Sequence, residues 1–232
     1  MSTDLTHRLN PPDPAIPPEL YDGARMDRKT FHRLYEQTPP DFKAELIGGV
    51  VYVASPLKVP HGRQHALLMG WLTNYVAATP GTDLLDNTTA ILGDESEPQP
   101  DAALRIEGGT SHVDDDDYLT GPPEFVAEVA DSTVRLDLGA KRADYEREGV
   151  AEYLVLALPG RRAVWHARDE HEAFVELESA TDGLVKSRVF PGLWLDAEAF
   201  FHSDRTAVLD ALRRGLESPE HAAFVESLRK KS

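Results

Sequence analysis

No cysteine occurs among the 232 residues of this chain. Disulfide frameworks and thiolate chemistry are thereby excluded, and a cytoplasmic location is the expectation that accords with this. No stretch reaches the run of about 20 apolar residues needed to span a bilayer, so no membrane is expected as a partner. The opening MSTDLTHRLNPPDP has no apolar h-region and is not read as a secretory signal. Positive charge is scarce as well: 24 Lys and Arg face 40 Asp and Glu, a formal net charge of −16. Non-specific affinity for nucleic acid comes from basic side chains that displace counterions. A general polyanion coat is therefore excluded, whereas a nuclease with a local basic groove is not. A phosphate-binding glycine loop, a dinucleotide fingerprint and a nucleophile elbow are also missing.

What is present is an ordinary globular composition, 41% hydrophobic and 28% charged, enough to bury a sizeable core. Residues 1–40 are rich in proline (Pro11, Pro12, Pro14, Pro17, Pro18, Pro39, Pro40) and read as an extended arm. One short helix fits within it at residues 27–37, capped by Asp27. A core domain is expected over residues 41–195 and a helical extension over 196–232. AELIGGVVYVAS reads as a hairpin around Gly48-Gly49. Helical periodicity covers residues 61–79, with His65, Leu68, Leu72, Tyr75 and Val76 on one face.

Strands are expected at residues 83–92, 101–106, 125–130, 152–158, 163–168, 173–178 and 184–190. A helix is expected at 136–148, ended by Gly149. SHVDDDDYLTGPP reads as a polar loop, and the chain beyond Trp194 as helical, with breaks near Ser203 and at Ser218-Pro219. The strand–helix–strand unit over 125–158 implies a parallel pair with a crossover inside a mixed sheet. The fold class is α/β (α+β): a mixed central sheet flanked by helices.

Two charges stand on faces that should be apolar. In FVAEVA, Glu128 shares a strand face with Val126 and Ala130. On the helix that follows, Leu138, Lys141, Arg142 and Tyr145 form one stripe, and a helix returning across the sheet brings Lys141 towards Glu128. Buried charges are usually paired, so these two residues alone leave a structural ion pair open. Asp101 adds a third element, at the start of a strand after the turn EPQPD, and Glu45 a fourth, within AELI. Acids and a lysine converging at a sheet end suit a hard divalent cation and a phosphodiester.

The ordered set Glu45, Ser55-Pro56, His61, Pro100-Asp101, Glu128-Val129, Lys141 and AEYLVL resembles the Uma-type endonuclease family. That family belongs to the PD-(D/E)XK, restriction-endonuclease-like superfamily, and the similarity covers roughly residues 42–195. The usual Glu-x-Lys signature would put lysine at position 130, which is Ala130 here; the resemblance implies that Lys141 supplies the charge from the next helix. It further implies that Asp101, Glu128 and the Val129 carbonyl ligate Mg²⁺ (or Mn²⁺). Glu45 would bind the ion's water shell or a second ion, and Lys141 would orient water and offset charge on phosphorus. The implied reaction is endonucleolytic hydrolysis of nucleic acid, DNA in the first instance, with a homodimer suited to double-strand cleavage. The rival expectation is an inactive nuclease fold that binds nucleic acid or protein without cutting.

Other features rank lower. His61 and His65 lie one turn apart, but Gly62 stands where a zinc-protease motif needs glutamate, so the pair is placed at a surface or groove. The run from Asp114 to Asp117 reads as a solvated turn, and Trp165 and Trp194 as core.

Overall fold

The computed structural model describes residues 16–230. Pro11, Pro12 and Pro14 of the expected arm therefore lie outside the described residues.

The first described helix, α1 (Arg28–Tyr35), starts where Asp27 accepts the Thr30 N–H at 2.9 Å, an N-cap of the expected kind. A hairpin follows, β1 (Ala44–Ile47) and β2 (Val50–Val53), paired Ile47 to Val50. Its two-residue turn holds Gly48 and Gly49 at φ of 56° and 72°, the left-handed values that a primed turn demands. The long helix α2 (Val59–Ala78) carries Leu68, Trp71, Leu72 and Tyr75, all fully buried.

Next come β3 (Thr82–Asp86), β4 (Ala90–Ile91), β5 (Ala102–Ile106), β6 (His112–Val113), β7 (Leu119–Thr120) and β8 (Phe125–Ala130). The chain then turns helical as α3 (Val134–Leu136), a π-helical turn (Asp137–Lys141) and α4 (Arg142–Glu148), which ends at Gly149 in the left-handed conformation. The remaining elements are β9 (Glu152–Ala157), β10 (Arg162–Arg168), β11 (Phe174–Glu176), β12 (Val185–Lys186), β13 (Trp194–Leu195), α5 (Ala197–Phe201), α6 (Arg205–Leu216) and α7 (Pro219–Arg229).

The fold is a mixed α/β arrangement around a six-stranded sheet ordered β11-β10-β9-β8-β5-β3. Only β8 and β9 run parallel within it, Phe125 opposite Glu152 through Ala130 opposite Ala157. Both faces of β8 are covered. Phe125, Ala127 and Val129 pack with α2, Trp165 and residues of α5 and α6, whereas Val126 and Ala130 pack with Tyr145, Val150 and Tyr153. A strand covered on both sides carries few polar side chains, so Glu128 requires an explanation from its partners.

Three expectations are corrected here. The acidic loop holds two short strands, β6 and β7, which join β4 in a small separate sheet. Two-residue strands are too short to show a period. The strand expected over 184–190 reduces to β12, because the Glu152 carboxylate takes the N–H groups of Arg188 and Val189 at 2.6 and 3.0 Å. Trp194 is only partly buried and lies under the Lys186 ammonium, 4.0 Å from its ring centre. Among the described residues no helix is long and apolar enough to cross a membrane.

Candidate active site

The site begins with a register. β5 and β8 are antiparallel with Ala102 opposite Ala127, so the next positions outward set Asp101 beside Glu128 and Pro100 beside Val129. A proline has no N–H for the Val129 carbonyl, and the ladder cannot continue. Asp101 occupies the gap: its Oδ2 accepts the Val129 N–H at 2.7 Å. In return, Glu128 Oε2 lies 3.4 Å from the Asp101 N–H. N–H and C=O of one strand residue point to the same side, so the Val129 carbonyl also opens towards Asp101.

Lys141 reaches this point from the helical segment. Its Nζ lies 2.9 Å from Glu128 Oε1, 2.8 Å from Glu45 Oε2 and 4.0 Å from Asp137 Oδ1. The π turn matters locally, since its wider winding places Asp137 and Lys141 both inward, at 2% and 4% exposure. Arg142 points elsewhere and pairs with Glu146 at 3.2 Å. Of the two cations on the stripe, Lys141 is the one that meets Glu128.

Glu45 is delivered by the hairpin. Its Oε1 accepts the Gln99 N–H at 2.6 Å, and the Gly48 N–H of the turn donates to Asp144 on α4. Tyr145 donates to Glu128 Oε1 at 3.1 Å. Asp101, Glu128, Lys141 and Glu45 therefore come together from four separate places in the chain: the residue preceding β5, β8, the π turn and β1.

Two further residues join them. His61 is buried rather than in an open groove, and its Nε2 lies 3.3 Å from Asp101 Oδ2. Its place at the first turn of α2 follows from tertiary packing and leaves no trace in spacing. Asp137 was not singled out from sequence, although its i, i+4 spacing to Lys141 was a usable signal.

Electrostatics follow from an excess of acid. Of four buried or half-buried carboxylates, Glu45, Glu128 and Asp137 lie within 4.0 Å of the one ammonium, and Asp101 pairs with His61. Burial pushes Glu128 well above the usual carboxylate range; Lys141 offsets part of this, while Asp101, Asp137 and Glu45 add to it. Burial also raises Asp137. Asp101 goes the other way: although burial opposes it, hydrogen bonds from His61 and Val129 hold its carboxyl low. Burial draws Lys141 down, but Glu128, Glu45 and Asp137 together keep it well above the usual lysine value. The Asp101 hydrogen bond likewise raises His61, against the burial that lowers it.

Among the described residues no three His, Asp or Glu side chains converge closely enough to enclose a metal ion. Mg²⁺, however, is commonly held by one or two carboxylates, its remaining positions filled by water and substrate phosphate. The donors fit that pattern. Asp101 uses one carboxylate oxygen on Val129 and His61, Glu128 Oε2 has only a long contact, and the Val129 carbonyl faces a proline. The surplus of buried negative charge is what a dication would offset.

A family model described as "Uma2: Putative restriction endonuclease" matches residues 28–198. Among solved structures, the chain is similar to a "putative nuclease belonging to DUF820" from Anabaena variabilis, with a TM-score of 0.54. That likeness covers 78% of this chain and 97% of the other at 10% sequence identity, and concerns the fold. No curated protein matches the sequence.

Proposed function

The chain belongs to the Uma2 restriction-endonuclease-like family, and from that premise we propose that it is a divalent-metal-dependent endonuclease acting on DNA. The observation that carries the reading is the buried Lys141 held between Glu45 and Glu128, beside Asp101 at the end of β8. A purely structural ion pair needs one carboxylate per lysine; this cluster has four.

Asp101, Glu128 and the Val129 carbonyl would hold Mg²⁺ or Mn²⁺, with Glu45 and Asp137 at its margin. Such an ion supplies Lewis-acid polarisation of the phosphoryl group and acidifies water. Lys141 contributes a fixed positive charge where negative charge builds on the phosphoryl oxygens, and its N–H groups orient the attacking water. Tyr145 holds Glu128 in place, and His61 with the Val129 N–H fixes the Asp101 carboxylate. Fixed dipoles of this kind need no reorganisation during the reaction.

The test is cleavage of supercoiled plasmid with Mg²⁺, Mn²⁺ or EDTA, beside a calorimetric metal titration and the Asp101→Asn variant. Metal-dependent nicking that disappears in EDTA and in Asp101→Asn is expected. A wild-type protein that binds neither metal overturns the reading. One observation favours a second reading in that event, a non-cutting binding module: the Lys141 ammonium bridges the Glu45 and Glu128 carboxylates as a structural ion-pair network does.

A further inference from the structure

A cleft of about 190 Å³ lies at the N-terminal end of α2. It is lined by Pro60, Arg63 and Gln64 of that helix, by Leu158 and Arg161 of the β9–β10 turn, and by Ser203 between α5 and α6. Its volume is several times a water's share of about 30 Å³.

Four features suit it to an anion. Arg63 and Arg161 are both exposed, in a chain of net charge −16, and neither has a carboxylate within ion-pair distance among the described residues, although Arg161 Nη1 lies 3.3 Å from His202 Nε2. The 20-residue helix α2 begins here, and its N-cap Lys58 makes no side-chain cap bond, so the first-turn N–H groups of Val59 and His61 lack a side-chain cap, Pro60 having none to offer. Gln64 is 8% exposed, donates Nε2 to Ser203 Oγ at 3.1 Å, and leaves its Oε1 without a partner. Turning that amide over lets the Ser203 hydroxyl donate to Oε1 and frees an N–H₂ group for a ligand, at no loss of hydrogen bonds. Finally, Arg161 and Ser203 both hold left-handed backbone conformations, at φ of 50° and 57°.

The cleft adjoins the acid–lysine cluster. The Leu158 N–H bonds the carbonyl of Ala130, two residues beyond Glu128, and Gln64 lies one helical turn from His61, which touches Asp101. In open α/β sheets, ligands gather outside the carboxyl ends of parallel strands, which is where both features lie.

The geometry points to a backbone-phosphate subsite: Arg63, Arg161 and Gln64 hold a phosphate of the nucleic-acid strand that flanks the one cut at Asp101 and Glu128. The inference rests on the nuclease reading for its substrate and supplies the local basic contact that an acidic chain needs. The subsite takes the phosphodiester itself, shared by DNA and RNA.

The experiment measures binding of fluorescein-labelled 20-mer DNA and RNA to the full chain in EDTA, across a salt series, so that no cutting intervenes. Arg63→Ala with Arg161→Ala should raise Kd at least tenfold and flatten the slope of log K against log salt by about two. Gln64→Leu should weaken binding severalfold, and Arg214→Ala, an exposed arginine on α6, should leave both readings within twofold of wild type. In Mg²⁺ the double variant should show raised KM with kcat retained. Binding and slope unchanged in the double variant overturn the subsite, even if the wild type cuts DNA. Conversely, a wild type that binds through Arg63 and Arg161 but never cuts upholds the subsite and defeats the nuclease reading.

Discussion

Lys141 Nζ and Glu128 Oε1 stand 2.9 Å apart, both buried, one from a π-helical turn and one from the central strand of the sheet. Position 130, where a Glu-x-Lys signature would carry lysine, is Ala130, and the ammonium that meets Glu128 comes from the next element. Lys141→Ala should lower cleavage by about 10²-fold or more while Mg²⁺ binding persists. Arg142→Ala, which removes only the pair with Glu146, should cut within about twofold of wild type. Single-turnover rates beside metal titrations decide it; equal losses in both variants would remove Lys141 from its role.

The two carboxylates should separate folding from function. Glu128→Gln leaves Lys141 its contacts with Glu45 and Asp137, so stability should change by no more than about 2 kcal/mol while metal binding falls away. Asp101→Ala removes the acceptor for the buried Val129 N–H and should cost about 1–3 kcal/mol, most of which Asp101→Asn should restore. Urea melts and calorimetry on the three variants give both quantities. Full metal affinity in Glu128→Gln would exclude it as a ligand.

Pro100 is assigned a role through what it lacks. Pro100→Ala introduces an N–H opposite the Val129 carbonyl, and that bond competes with any cation for the same oxygen. A net hydrogen bond near 1 kcal/mol corresponds to roughly fivefold weaker Mg²⁺ binding. No change in affinity would show that the carbonyl is not a ligand.

Glu152 offers a test of pH dependence away from the site. It is fully buried and accepts from Trp165, Ser187, Arg188 and Val189, with burial as the main influence raising it above the ordinary glutamate value of 4.5. A raised native value means the fold favours the protonated form. Its contribution is fully present below 4.5 and is lost as pH rises through the elevated native value. The stability of wild type relative to Glu152→Gln should therefore fall between pH 4 and pH 7 in urea titrations. A difference that grows over that range would reverse the assignment.

Much of the fold was legible because its signals are local. Asp27 three residues before Thr30, Gly48-Gly49 between two β-rich runs, and Gly149 after a helical stripe each act through neighbours in the chain. The parallel pair of β8 and β9 followed from strand, helix and strand in succession, and the ordered acids with Lys141 marked the candidate site. Other features depended on distant partners. The sequence already favours Lys141 over Arg142, but its contacts with Glu45 and Asp137 as well as Glu128 depend on how the hairpin and the π turn pack. His61 belongs beside Asp101 only because α2 packs across the sheet end, and the strand at residues 184–190 failed because Glu152, more than thirty residues away, captured its N–H groups. Periodicity and turn chemistry are short-range and can be read along the chain. The compensation of buried charge is set by whichever groups the tertiary structure brings within a few ångströms, and only the folded protein decides which those are.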